Sequence, residues 1–344
     1  MSDKTDALAN SPDSGTSDSG GTSPGPIFIE LLSPESQDWP TEERIVHVLR
    51  SHLGELNIVQ HSEQGITAAM LEWAVDVGAG ADQTTADQAT ADQAEDGGSA
   101  AQEPKKLPPM LQIIPSHPFD ASAIAQPIRD QMWDVFPHQN ELLDSLKYQV
   151  LGGDVLGTVL HPRDRAAFTM LYLDALLELF PATEAVLFAD TGRLMRVADL
   201  REHGEAAENA ERTEHVRDQA WRRYVRLAAN VRVFRMDGDE WLIDTFGLHK
   251  LGAPDVQYHF RGLDLTKVAA HALTVAEYQL EHDFPIRSGN SIAGIEESDY
   301  SDEAGQTKDP ATMWRCNYEK SLMVPDRVVL DIHTGPNAVG EREA

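Results

Sequence analysis

Asp244, His249, Asp255, Gln257 and His259 form the densest group of acid, base and ligand side chains in the chain, all inside the run from Asp244 to Asp264. Asp255, Gln257 and His259 alternate with Val256, Tyr258 and Phe260. A period of two places the three polar groups on one face of a strand and the three apolar ones on the other. An imidazole beside a carboxylate suits general base work, because the carboxylate fixes the ring's tautomer and orientation. Asp244 or His249 would complete such a site from the adjoining turn. The same residues also have a purely structural reading. Gly247 and Gly252 permit turns, Pro254 fixes one, and Asp244 and Asp255 can hydrogen-bond loop amides. Both readings stay open on the sequence.

Other reactive patterns are absent. There is no GxGxxG and no GxxxxGK[ST]; Gly152, Gly153 and Gly157 lie in a GGDVLG run that lacks the lysine. Gly289-Asn-Ser-Ile-Ala293 misses the second glycine of a nucleophile elbow and reads as a turn entering a short strand. None of the 13 histidines falls in HExxH, and the single cysteine, Cys316, has no partner for a zinc site or a disulfide. No cofactor and no metal is expected. His47 and His52 are five apart, too far around a helix to share an ion, and His271, one turn after Lys267, reads as a solvated surface residue. Arg217, Arg222, Arg223, Arg226, Arg232 and Arg235 gather near Trp221 and Tyr224. Glu205, Glu208, Glu211, Glu214 and Asp218 precede them, which favours a salt-bridged helix over a nucleic-acid face.

Several elements must position these groups. Ile27–Leu32 reads as a strand, and Pro40 starts a helix over about 41–53. Leu56–Gln60, Thr67–Val77 and Met110–Ile114 read as strands, and Asp120 as the cap of a helix over 121–133. Tyr148–Leu151 and Ala185–Ala189 are further strands. A helix over 163–180 should bury Phe168, Leu171, Ala175 and Leu179 and expose Asp174 and Glu178. Charged helical sequence fills 205–228. Asp237-Gly238 predicts a two-residue hairpin with Arg235 opposite Glu240 and Phe234 opposite Trp241. Asp264 caps a helix to about Glu281, and Val328–Ile332 closes the fold. The mixture predicts an α+β fold with a largely antiparallel sheet.

Residues 1–25 form a predicted flexible tail, as do 336–344. A low-complexity loop at 78–106 repeats Ala-Asp-Gln every five residues and separates 26–77 from 107–230, with a C-terminal part at 231–335. The 57 acids against 28 Lys plus Arg give a net charge of −29. The tail contributes −3, the loop −4 and the stretch 296–309 another −5, so −17 remains on the rest. That balance argues against nucleic acid or an anionic membrane as partner. The first residues carry no signal-peptide pattern, and Ala166–Phe180 is interrupted by Asp174 and Glu178, so a soluble cytoplasmic protein is expected.

The run Trp241-Leu-Ile-Asp-Thr-Phe-Gly-Leu-His-Lys-Leu-Gly-Ala-Pro-Asp-Val-Gln-Tyr-His-Phe-Arg-Gly-Leu-Asp264, its following helix and Ile286-Arg-Ser-Gly-Asn-Ser-Ile292 resemble a bacterial family, domain of unknown function 4261. The likeness spans about 231–294, with Asp-Thr-x-Gly-Leu, Gly-x-Pro-Asp-x-Gln and a Ser-Gly-Asn strand entry. Upstream, Pro115-Ser-His-Pro118-Phe departs from the Pro-Ile-Pro-Trp-like segment usual there. The resemblance implies a domain and carries over no catalytic residue. The sequence thus predicts a non-enzymatic protein-interaction module, with a basic protein as the fitting partner. The alternative is an enzyme built on Asp255, Gln257 and His259.

Overall fold

The computed structural model describes residues 24–77, 105–200, 215–295 and 313–340. Most of the predicted tail and low-complexity loop, the acidic stretch 296–309 and the glutamates at 205–214 lie outside the described residues.

The strands are β1 (Phe28–Ser33), β2 (Leu56–Ser62), β3 (Gly65–Met70), β4 (Val75–Val77), β5 (Lys105–Leu107), β6 (Met110–Pro118), β7 (Tyr148–Asp154), β8 (Ala185–Phe188), β9 (Arg193–Arg196), β10 (Asn230–Arg235), β11 (Glu240–Phe246), β12 (Asp255–Arg261), β13 (Ser291–Ala293), β14 (Met313–Lys320) and β15 (Val328–His333). They build a first sheet in the order β2-β3-β6-β7-β1-β8-β9 and a second in the order β10-β11-β12-β15-β14-β13, while β4 and β5 pair alone. All pairings are antiparallel except β12 with β15. The fold is α+β, as the sequence predicts.

The helices are α1 (Glu42–Leu53), α2 (Gln126–Arg129), α3 (Gln139–Ser145), α4 (Pro162–Leu179), α5 (His215–Leu227) and α6 (Leu265–Glu281). Thr41 caps α1 by accepting from the Arg44 amide, with Glu42 and Glu43 in the first turn and Arg50 in the last, all favourable to the helix dipole. Helix α4 packs against α1, α5, α6 and β1, and α6 packs against β10, β11 and β12. One hydrophobic core therefore runs from Ile29 and Leu31 of the first sheet, through α4, to Val256, Tyr258 and Phe260 of the second. This central position explains why α4 is buried on nearly every side, where the sequence pattern predicts one apolar stripe. A smaller cluster lies on the other face of the first sheet, where Leu32, Leu187 and Leu194 meet Met132, Val135, Leu142, Leu143 and Leu146. Strand β1 is thus covered on both faces.

Several expectations need correction. The predicted strand 67–77 is split by a 3-10 turn at Leu71–Trp73. The predicted helix 121–133 is broken into a 3-10 turn capped by Asp120, the short α2 and another 3-10 turn at Trp133–Val135. Its residues answer to the sheet they cover and not to helical propensity. The hairpin closes with Arg235 opposite Trp241 and Phe234 opposite Leu242, one residue away from the predicted register. That shift places Arg232 opposite Asp244 and keeps Val233 opposite Ile243. Strand β14 has no counterpart among the predictions. The ends of three segments read as flexible are held in place. Gly25 accepts from Arg165, Lys105 and Lys106 pair with β4, and Val339 packs by donating to the His259 carbonyl.

Three arginines of the cluster form ion pairs with neighbouring helices, while the glutamates 205–214 lie outside the described residues. Arg222 and Arg226 reach Glu281 and Glu277 of α6, and Arg223 reaches Asp174 of α4. The free edge of β10 is also covered from the first half. The Gln131 amide donates to the Val233 carbonyl at 3.1 Å and accepts from its N–H at 2.9 Å, while Trp133 donates to the Val231 carbonyl at 2.9 Å. A side-chain amide thereby takes the place of a neighbouring strand.

Arg165 of α4 is fully buried and holds the two halves together. Its Nε and Nη2 donate to both oxygens of Asp154 at 2.7 and 2.9 Å, Nη2 also donates to the Gly25 carbonyl at 2.7 Å, and Nη1 donates to the Lys250 carbonyl. A Cβ at Gly157 would lie 2.0 Å from Asp154 Oδ2, so only glycine leaves room for this pair. Burial pushes the Asp154 carboxyl above its ordinary value, against the pull of Arg165's hydrogen bond and charge. Asp154→Ala would strand a buried guanidinium and is expected to cost about 3–5 kcal/mol. Urea unfolding checks it; the Asp154→Ala/Arg165→Met pair should cost less than the two single changes added together.

Candidate functional site

The outer face of the second sheet carries a polar rung across five strands. Arg232 of β10 stands opposite Asp244 of β11, Asp244 opposite Gln257 of β12, Gln257 opposite Asp331 of β15, and Asp331 opposite Asn317 of β14. Period-two alternation puts these groups outside, because Ile243, Val256, Tyr258, Leu330 and Cys316 fill the inner face. The rung is not solvated: Asp244, Gln257 and Asp331 are buried. The segment between β14 and β15 folds back over it.

Arg327, at the end of that segment, organises the region. Its Nε donates to Asp255 Oδ2 at 2.9 Å and its Nη2 to Asp244 Oδ2 at 2.6 Å. Its Nη1 donates to Ser321 Oγ at 2.9 Å and to the carbonyls of Met323 and Pro325, both at 3.2 Å. Arg232 adds a two-pronged contact to Asp244 at 2.9 and 2.5 Å and donates to the Val324 carbonyl at 3.0 Å. Gln257 accepts from the Leu322 amide at 2.9 Å and donates to Asp331 at 3.1 Å. Loop 321–327 is therefore fixed by charge-assisted bonds, while Leu322 and Val324 project into solvent, 53% and 75% exposed.

Asp255 anchors the opposite side. Its Oδ1 accepts from the amides of Gly247 and Leu248 at 3.0 and 2.9 Å and from the Thr245 hydroxyl at 3.3 Å. Its Oδ2 accepts from Arg327 and from His249 Nδ1 at 2.8 Å. Burial alone would raise this carboxyl's pKa. The hydrogen bond and charge of His249, the charge of Arg327 and the Leu248 amide outweigh burial and hold it below the ordinary value. Gly247, with φ +149°, makes the turn possible; a Cβ there would come within 2.9 Å of the Ala229 backbone. Because the carboxylate can only accept, His249 carries its proton on Nδ1 in the neutral ring and Nε2 keeps its lone pair. The ring is stacked on Phe246 at 4.7 Å, and Arg232 lies over that same phenyl at 4.0 Å.

Of the sequence candidates, the structure joins Asp244 and Asp255 through Arg327, and His249 directly to Asp255. Gln257 belongs to the same rung but serves the loop and Asp331. His259 stands apart, with Nε2 3.3 Å from Glu240. The predicted Asp255–Gln257–His259 face exists as a face, and its members have separate partners. Arg327, Ser321 and Asp331 escape sequence reasoning, and Arg232 enters it only as a member of the arginine cluster. The one usable signal is the Pro325-Asp-Arg327 run directly before an apolar strand. His271 is also corrected: it is partly buried, accepts from Tyr258 Oη at 2.7 Å through Nδ1 and donates to the Ala293 carbonyl at 2.9 Å. Among the described residues, no three His, Cys, Asp or Glu side chains gather as a metal site.

Residues 244–333 match a family model described as Domain of unknown function (DUF4261). The match reaches beyond 294 and takes in Ser321, Arg327 and Asp331. No curated protein matches the chain, and no solved structure does.

The depressed pKa of Asp255 fixes a sign for acid stability. Its contribution is fully present above the ordinary value of 3.8 and is lost as pH falls through the lower folded value. Asp255→Asn should lower stability at neutral pH and flatten the acid limb of a stability–pH curve, read by urea denaturation. Arg327→Met should cost about 3–5 kcal/mol, since it leaves Asp244 and Asp255 buried with fewer cationic partners.

Proposed function

We propose that the chain, with its DUF4261 domain at 244–333, is a non-enzymatic binding module that works through protein contacts. The observation that carries this reading is the saturation of the candidate acids. Asp244 and Asp255 are buried, each is bonded to at least one guanidinium, and each spends its oxygens on holding loops. Neither is free to take or give a proton to a substrate. The arrangement instead fixes a surface loop whose apolar side chains face water, which is the organisation of a preformed contact surface.

Charge points to the partner. Of the −29, −18 lies outside the described residues and −11 on them. All of that −11 falls in 24–200, while 215–295 and 313–340 are each neutral. A basic protein fits such a surface, and electrostatic steering would speed its association. No helix among the described residues is long and apolar enough to cross a membrane. We place the protein in the cytoplasm and give it neither a nucleic-acid nor a membrane partner.

The test is affinity capture with the immobilised full chain at low and high salt. Basic proteins should be retained at low salt and released at high salt, and Glu35→Lys with Asp38→Lys, both exposed, should weaken retention. Retention indifferent to salt, or to these reversals, removes the reading.

One observation favours an enzymatic alternative. His249 is oriented by Asp255, and among the described residues its Nε2 has no hydrogen-bond partner, which is the geometry of a general base. On this reading the chain hydrolyses model esters or phosphoesters, with a rate that vanishes in His249→Gln. Equal rates for wild type and variant exclude it.

A further inference from the structure

The two main sheets have four edges, and the chain treats them differently. β9 lies against the 3-10 turn Trp133–Val135, β10 is covered by Gln131 and Trp133, and β13 is three residues long. β2, at the end of the first sheet, runs for seven residues, and among the described residues no group outside β3 bonds its backbone. The ladder shows which of its groups are free. The Met70 amide donates to the Pro109 carbonyl on the β6 side, so Met70 and, by alternation, Ala68 turn their backbone groups away from β2. Their partners Leu56 and Ile58 therefore turn theirs to the open side. Val59 is the extra residue of a bulge that follows, and it is 58% exposed.

The charge around this edge is one-sided. Residues 24–77 hold nine acids and two arginines, which is −7 of the −11 on the described residues. Glu72 accepts from the Glu55 amide at one end of β2, while Glu63 follows the strand at the other end, where Glu42 contacts His61. All four carboxylates are exposed. Of the two arginines, Arg44 pairs with Glu178 and Arg50 with Glu55. A second copy of the chain is a poor occupant. Antiparallel pairing of two β2 edges would set Glu55 and Glu72 of one against Glu42 and Glu63 of the other, and parallel pairing would set like ends together. A cationic strand meets attraction at both ends.

We propose that the free edge of β2 is a strand-addition site, which takes a short, extended, basic segment of the partner as an eighth strand of the seven-stranded first sheet. The site presupposes the basic partner proposed above and gives that partner a place. Backbone bonds to Leu56 and Ile58 supply affinity, and the four carboxylates select lysine and arginine. The bulge at Val59 interrupts the flat edge and confines the addition to a few residues.

Hydrogen exchange of the full chain, with and without an alternating Lys-Val octapeptide at low salt, tests it. At about ten times its Kd the peptide should slow exchange of the Leu56 and Ile58 amides by about tenfold. The same peptide N-methylated throughout keeps its charge, loses its donors and should give no such protection. Glu63→Gln with Glu72→Gln should weaken peptide binding about fivefold, the loss of two exposed ion pairs. Salt-dependent binding without protection at Leu56 and Ile58, or binding unmoved by that double variant, overturns the site and leaves the basic-partner reading standing. No binding at low salt overturns both. Protection of the same amides that rises with protein concentration in the absence of peptide makes a second copy the occupant and also overturns the site.

Discussion

A single buried guanidinium, that of Arg165, is the constraint on which the rest of the molecule depends. Moving a charge into the space between two sheets costs several kcal/mol unless the surroundings answer it. Here Asp154 answers with both oxygens, and the carbonyls of Gly25 and Lys250 take further N–H groups. Those acceptors come from the chain's entry into β1, the end of β7 and a turn of the second half. Their relative positions follow from the fixed, planar fork of one side chain. Hydrophobic area brings the layers together without direction; the arginine selects one arrangement among many similar ones.

The second sheet repeats the device at its outer face. Arg327 draws Asp244, Asp255 and the 321–327 loop into one network, with Arg232 completing the charge balance on Asp244. In both places a buried ion pair also holds backbone carbonyls that have no strand partner. Burying charge is a poor way to gain stability and a good way to hold irregular backbone in one conformation. In the candidate site the two carboxylates are engaged in holding loops. His249 Nε2 has no hydrogen-bond partner among the described residues.

Much of this was legible in the sequence, and the limits have physical causes. Pro40 marks the start of α1, while periodicity marks α4, α6 and both faces of β12, although α4 is buried on more sides than its one apolar stripe implies. The Asp264 cap held for a local reason: its side chain accepts from the Lys267 amide. The polar face of β12 was identified, but its burial was not, since alternation cannot say that a loop 65 residues further on returns to cover it. Arg327 lies 72 residues from Asp255 and 83 from Asp244, beyond any spacing rule. The hairpin register differs from the predicted one by one residue, and the observed register sets Arg232 opposite Asp244 and Val233 opposite Ile243. The 121–133 segment failed because its job is to cover a sheet, and helical propensity is a weak guide there.

The covering of β10 by Gln131 and Trp133 has a consequence for how the chain can be divided. The family match begins at Asp244, in the middle of β11, yet the sheet it belongs to starts at β10 and is finished by side chains from residues 131 and 133. A fragment cut at the family boundary would lose β10 and present half of β11 as a raw edge. One cut just before β10 would still expose Val231 and Val233, whose backbone groups could then recruit a strand from another molecule. The matched segment is therefore smaller than the unit that keeps the β10 edge covered, which needs residues 131 and 133 of the first half.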